Sequence, residues 1–116
     1  MGRIIHVELT AADLDRAATF YAEAFGWQAT PSPFVDGYLV AETGAGDGID
    51  GAIMKRDYQD QPVIIWLQVD DLDATRAAVS AAGGSADHEP QEIPGVGRVA
   101  YVRDPEGVLL GLRQPG

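Results

Sequence analysis

The sequence predicts an α+β fold made of two βαβββ units in tandem, forming curved mixed sheets around a concave pocket. Three observations predict it. Each of two helical segments is preceded by a strand-like run and followed by three short extended runs. Two segments of like pattern, "ADLDRAATFYAEAFG" and "DDLDATRAAVSAAGG", open the two halves. Asp13-Leu14-Asp15 falls on Asp71-Leu72-Asp73, and Leu9 on Leu67, so the halves superimpose without a gap at an offset of 58 residues. A repeated unit that cannot cover its own apolar face gains a core from its neighbour.

The elements follow in order. "IIHVEL" (Ile4 to Leu9) is the first strand. In the first helix Leu14, Ala17, Ala18, Tyr21 and Phe25 recur at helical spacing, with Thr10 or Asp13 as cap and Gly26 as stop. Short strands are predicted near Trp27 to Thr30, Tyr38 to Glu42 and Ile49 to Lys55. "VIIWLQV" then opens the second half. Its helix takes Asp70 or Asp71 as cap, Leu72, Ala78 and Val79 on one face, and Gly83-Gly84 as stop. Strands near Ala86 to Ile93, Gly97 to Arg103 and Val108 to Arg113 complete it, separated by Pro94-Gly95 and Asp104-Pro105-Glu106-Gly107. One domain over 1–116 is expected, with units of about 1–57 and 58–116.

Composition narrows the function classes. There is no cysteine, so disulfides, thiolate metal sites and cysteine nucleophiles are excluded. Eight basic residues against eighteen acidic ones give a formal charge of −10. That disfavours a nucleic-acid partner, which needs a concentrated basic face, and suits a cationic small molecule. With no leader-like start and no apolar run of membrane length, a cytoplasmic protein that meets no membrane is expected. The glycine-rich Gly44 to Gly48 loop lacks the strand–helix setting and lysine of a phosphate loop. Ser32, Ser80 and Ser85 lack a nucleophile-elbow context.

Strand alternation selects the site candidates. Ile5, Val7 and Leu9 are expected to face the helix, and His6, Glu8 and Thr10 the concavity. In the second half Ile64, Trp66 and Gln68 take the concave face. On the last strand Leu110 and Leu112 are expected in the core, with Leu109, Gly111 and Arg113 toward the cavity. His6, Glu8, Trp66, Gln68 and Arg113 are therefore the candidate ligand-binding residues. A charged Glu8 requires water, a cation, a ligand or Arg113 as partner. A structural role stays open for each: a strand-to-strand hydrogen bond for His6, an ion pair with Arg113 for Glu8, an interface contact for Trp66. Phe20-Tyr21 reads as core packing, and His88 as exposed.

The pattern written by His6, Leu9, Asp13, Leu14, Ala17, Phe20, Tyr21, Phe25, Gly26 and Trp27, with the late "DPEGVLLGLRQ", resembles the vicinal oxygen chelate superfamily. That group includes glyoxalases, bleomycin-resistance proteins and extradiol dioxygenases. The resemblance covers essentially the whole chain and is specific for the fold, not for one activity. It implies a homodimer, and in the metal enzymes it implies divalent-metal ligands on the first and last strand of each unit. His6 stands at the first ligand position. The equivalent of His6 is Ile64, the terminal-strand carboxylate position is Gly111, and its first-half counterpart falls near Ile53 or Met54. The customary metal set is therefore expected to be missing, and no cofactor is expected. The favoured function is a small-molecule-binding protein that sequesters a drug or metabolite. The alternative is a lyase or dioxygenase-type enzyme using a non-standard metal site, or His6 and Glu8 as acid–base groups.

Overall fold

The structure is a computed structural model and describes residues 2–57 and 59–116. Its elements run β1 (Arg3–Ala11), α1 (Leu14–Phe25), β2 (Gln28–Pro31), β3 (Tyr38–Glu42), β4 (Gly51–Lys55), β5 (Val63–Gln68), α2 (Leu72–Ala81), β6 (Gln91–Ile93), β7 (Gly97–Arg103) and β8 (Leu109–Gln114). This is the predicted α+β class, with βαβββ used twice. The chain divides into two compact units. One holds residues 6–64, and the other residues 1–5 with 65–116.

In the unit of residues 6–64 the strands lie in the order β2-β3-β4-β1. β1 and β4 are parallel, and β4, β3 and β2 are successively antiparallel. α1 starts where the Asp13 carboxylate accepts the Arg16 N–H at 3.0 Å, which makes Asp13 the cap; Thr10 stays inside β1. Gly26 ends the helix at φ 76°, a left-handed conformation that glycine adopts without strain. The next residue, Trp27, stacks on Tyr21 with ring centroids 4.7 Å apart. The buried side chains of this unit include Ala41, Ala52, Ile53, Met54 and Ile64. α1 packs against β2 and β4, yet none of its residues is fully buried. Phe20 is 55% exposed, so Phe20-Tyr21 is not the core pair predicted. A short helix touching a narrow sheet covers only its inner stripe, and Phe20 falls outside that stripe.

In the other unit the order is β5-β8-β7-β6, with β5 and β8 parallel and the rest antiparallel. Asp71 caps α2 by accepting the Ala74 N–H at 3.0 Å. The core gathers Val69, Leu72, Ala100, Val102 and Leu112, with Val79 and Leu110 packed around them. Leu109 is buried as well, at 1% exposure, on the face it shares by alternation with Gly111 and Arg113, opposite Leu110 and Leu112. The predicted strand over Ala86 to Ile93 shrinks to Gln91–Ile93. Arg76 takes the Ala86 and His88 carbonyls with hydrogen bonds of 2.9 and 2.8 Å, so those groups serve α2 instead of a strand ladder. Pro90 then lacks the N–H a ladder needs.

The strand registers correct the gapless offset. Glu8 pairs with Ala52, and Trp66 with Gly111. Glu8 and Trp66 are 58 residues apart, but Ala52 and Gly111 are 59 apart. One extra residue therefore entered the second half before its last strand. The counterpart of Gly111 is Ala52, neither Ile53 nor Met54.

Candidate functional site: a buried carboxylate, a tyrosine and a histidine

Register fixes which side chains share a face. Glu8, Ala52 and Val40 form one cross-strand row, and Thr10, Met54 and Tyr38 the next. By alternation His6 lies on that same face, while Leu9, Ile53 and Leu39 lie on the opposite one. Burial departs from the expectation of an open face. Glu8 is 3% exposed and Thr10 7%, whereas Ile5, Val7 and Leu9 are only half-buried.

A buried carboxylate needs hydrogen-bond donors. Tyr38 on β3 supplies one: its hydroxyl donates to Glu8 Oε2 at 2.8 Å. The same hydroxyl lies 2.8 Å from His6 Nε2. A phenol has one proton, and Glu8 takes it. The bond to His6 then requires Nε2–H to donate to the tyrosine oxygen. The rings of His6 and Tyr38 lie nearly parallel, at 16° and a centroid distance of 6.5 Å. Two titratable groups on β1 are thus joined through one hydroxyl.

Thr10, the third residue on that face, locks the end of the strand. Its hydroxyl donates to the Gln61 carbonyl at 2.9 Å and accepts from Arg56 Nε at 3.2 Å, and Arg56 also reaches the Thr10 carbonyl. A cleft of about 770 Å³ opens beside the start of α1, between Asp13, Leu14, Lys55 and Arg56. None of the five predicted site residues lines it.

In the unit of residues 65–116, Trp66, Gly111 and Tyr101 form one row and Gln68, Arg113 and Val99 the next. Trp66 is 8% exposed, and its ring lies directly over Gly111. A Cβ at residue 111 would come within 2.2 to 2.5 Å of the indole Cδ2, Cε2 and Cε3. Tyr101 tilts against the indole at 5.2 Å, and His88 meets Tyr101 edge-on at 6.0 Å. His88 is half-buried there, not exposed as predicted. Gln68 is exposed. Arg113 is half-buried, and its Nε donates to the Val96 carbonyl at 2.9 Å. At the surface of the same unit Arg98 binds Asp73 at 3.1 Å. The hydrogen bond from Arg98 holds the Asp73 carboxyl below its ordinary value, and Asp73 raises Arg98 in return.

The residues present do not fit the customary metal set. Nε2 of His6 is committed to Tyr38. Ala52 offers no donor, Ile64 is aliphatic and fully buried, and the indole of Trp66 fills the space a side chain at residue 111 would enter. Among the described residues no three His, Cys, Asp or Glu side chains gather to hold an ion.

Sequence reasoning found His6 and Glu8 but missed Tyr38, which joins them, and Tyr101. Tyr38 stood in a predicted strand, and alternation along it places Tyr38 and Val40 on one face. Which face that is depends on the β3–β4 and β4–β1 registers, and these are long-range pairings.

Comparison with known proteins identifies the family and the fold. The family model of the glyoxalase/bleomycin resistance protein/dioxygenase superfamily matches residues 3–112. The chain is 34% identical over 125 residues to the probable lactoylglutathione lyase of Vibrio parahaemolyticus, covering 97% of this chain and 91% of that protein. It is 29% identical over 128 residues to the anthracycline biosynthesis protein DnrV of Streptomyces peucetius; there it covers 94% of this chain but only 46% of the relative, about half its length. Among solved structures, methylmalonyl-CoA epimerase of Streptomyces coelicolor aligns at a TM-score of 0.72 with 20% identity, covering 100% of this chain and 96% of that one; at this identity the likeness concerns the fold. No helix is long and apolar enough to cross a membrane among the described residues. The chain belongs to the glyoxalase/bleomycin resistance protein/dioxygenase superfamily.

Proposed function

We propose that this protein binds a small molecule through Glu8, Tyr38 and His6 directly, without the customary metal set of its superfamily. The observation that carries the proposal is the buried Glu8 carboxylate held by the Tyr38 hydroxyl, which also meets His6 at 2.8 Å. A buried carboxylate is costly to a fold that needs only packing there, and its retention is explained by a ligand that uses it. The ligand chemistry that suits Glu8 is a cationic or hydrogen-bond-donating group, in keeping with a chain of formal charge −10. Sequestration is the activity such a site needs least machinery to perform.

The test is a thermal-shift screen of small molecules in the presence of EDTA, with hits titrated calorimetrically. Glu8→Gln, His6→Ala and Tyr38→Phe should each weaken binding by about 1–3 kcal/mol, the cost of a lost charge-assisted hydrogen bond. Unchanged affinity in all three variants would make these residues structural.

A second proposal is a lyase, and the full-length similarity to the Vibrio protein favours it. Formation of lactoylglutathione that depends on an added divalent metal and is lost in His6→Ala would establish the lyase and overturn the metal-free site. In either case we propose a homodimer. Phe20, Phe25 and Phe34 are 55%, 63% and 57% exposed, a large apolar surface for a single copy to leave in water.

A further inference from the structure

We infer that the Trp66 face of the unit holding residues 65–116 is a subsite for an aromatic carboxylate. The inference stands on residues separate from Glu8, Tyr38 and His6.

The indole N–H of Trp66 is the first observation. The side chain is 8% exposed, and Nε1 is buried with no hydrogen-bond partner among the described residues. Native proteins rarely leave a buried donor unmet, because the group has lost its water and gained nothing. Most buried indoles solve this with a carbonyl, and this one is turned against the Gly111 backbone without one.

Arg113 is the second observation. It sits on the same sheet face, one row along from Trp66. Its Nε is spent on the Val96 carbonyl, which fixes the plane of the guanidinium. Its terminal nitrogens have no hydrogen-bond partner among the described residues. Gln68, opposite Arg113 in the same row, is exposed and presents an amide.

Indole N–H and guanidinium are donors only. A face with unspent donors and no carboxylate in its two rows selects an acceptor, and an anionic one at Arg113. A carboxylate has two oxygens to divide between two donors. Trp66 and Arg113 stand in adjacent same-face rows, about 6.6–6.8 Å apart along the strand. Beside the donors stands Tyr101, tilted 57° to the indole, whose ring offers a flat organic group an edge or face to pack on. The ligand class is therefore a ring bearing a carboxylate: one oxygen on Arg113, one on Trp66 N–H, and the ring along Tyr101.

The experiment uses the full chain, labelled with nitrogen-15. It contains two tryptophans, so two indole N–H resonances are observed, and Trp27→Phe assigns that of Trp66. The probe is 2-naphthoate and the control is neutral 2-naphthamide. Naphthoate should shift the Trp66 indole resonance saturably, and naphthamide should bind at least about tenfold more weakly. Arg113→Gln should weaken naphthoate about tenfold, equivalent to about 1.4 kcal/mol. Should Arg113→Gln fail to fold, Arg113→Lys keeps the charge but loses the planar fork, and it must still weaken binding several-fold. A Trp66 indole resonance that does not move, equal affinity for the amide, or undiminished binding in the folded Arg113 variant would each overturn the assignment.

Discussion

Gly111→Ala tests the packing that displaces the superfamily's carboxylate from the last strand. A Cβ built at residue 111 lies 2.2 Å from indole Cδ2, 2.3 Å from Cε2 and 2.5 Å from Cε3, whereas ordinary contact begins near 3.4 Å. The indole would have to retreat by about 1 Å, and its fused-ring atoms, unlike the tip of a flexible chain, cannot do so by turning one bond. Trp66 is buried, so the shift passes to Tyr101 and the neighbouring strand. Overpacking of this kind costs about 1–3 kcal/mol. With a urea dependence of about 1–3 kcal/mol per molar, the unfolding midpoint should fall by roughly 1 M. The control is a double-mutant cycle with Trp66→Ala. That change alone costs about 3–5 kcal/mol through the cavity it leaves. In its background the methyl at residue 111 has room, and the usual benefit of alanine over glycine in reducing unfolded-chain entropy, about 0.4–1 kcal/mol, should make the second change neutral or stabilising. Strong non-additivity is therefore expected. Additive effects, or a midpoint for Gly111→Ala equal to wild type, would show that the ring does not rest on the Gly111 backbone.

Other expectations follow from the same structure. Tyr38→Phe removes the hydroxyl from between Glu8 and His6 and should lower stability by about 1.5–3 kcal/mol, measured by urea unfolding; Glu8→Gln, which keeps an acceptor oxygen for that hydroxyl, should cost less. Protein purified without a histidine tag should carry well under one equivalent of divalent metal by elemental analysis, and a crystal with an ion touching His6 and two further protein donors would refute this. Light scattering at micromolar concentration should give the mass of a dimer, and a monomer alone would count against the proposed assembly. The Asp73 carboxyl is held below its ordinary value of 3.8, so its pairing with Arg98 contributes stability above pH 3.8 that is lost as pH falls through the lower folded value. Asp73→Asn should remove that part of the acid limb and leave the pH dependence above pH 3.8 unchanged.

The fold was legible because its signals are local. Asp13 and Asp71 cap helices through carboxylates three residues from the N–H they accept, Gly26 stops α1 by its own backbone freedom, and each helix follows an apolar strand. Such features need no knowledge of distant residues. His6 and Glu8 were legible for a related reason, since alternation along one strand is a property of that strand. What they do was not legible. Glu8 was expected at an open face and is buried at 3% exposure, because Tyr38, thirty residues on, reaches it across the sheet. The sequence also read as a gapless repeat, while pairing of β5 with β8 shows one added residue. A shift of one residue turns every side chain to the other face, so this register decides that Gly111, and not a leucine, lies under Trp66. By itself the chain determined its elements, its repeat and its superfamily, all set by short-range pattern. Only the tertiary structure decided which tyrosine meets which carboxylate and which ring fills the last-strand position, because both depend on strand pairings that no local signal encodes.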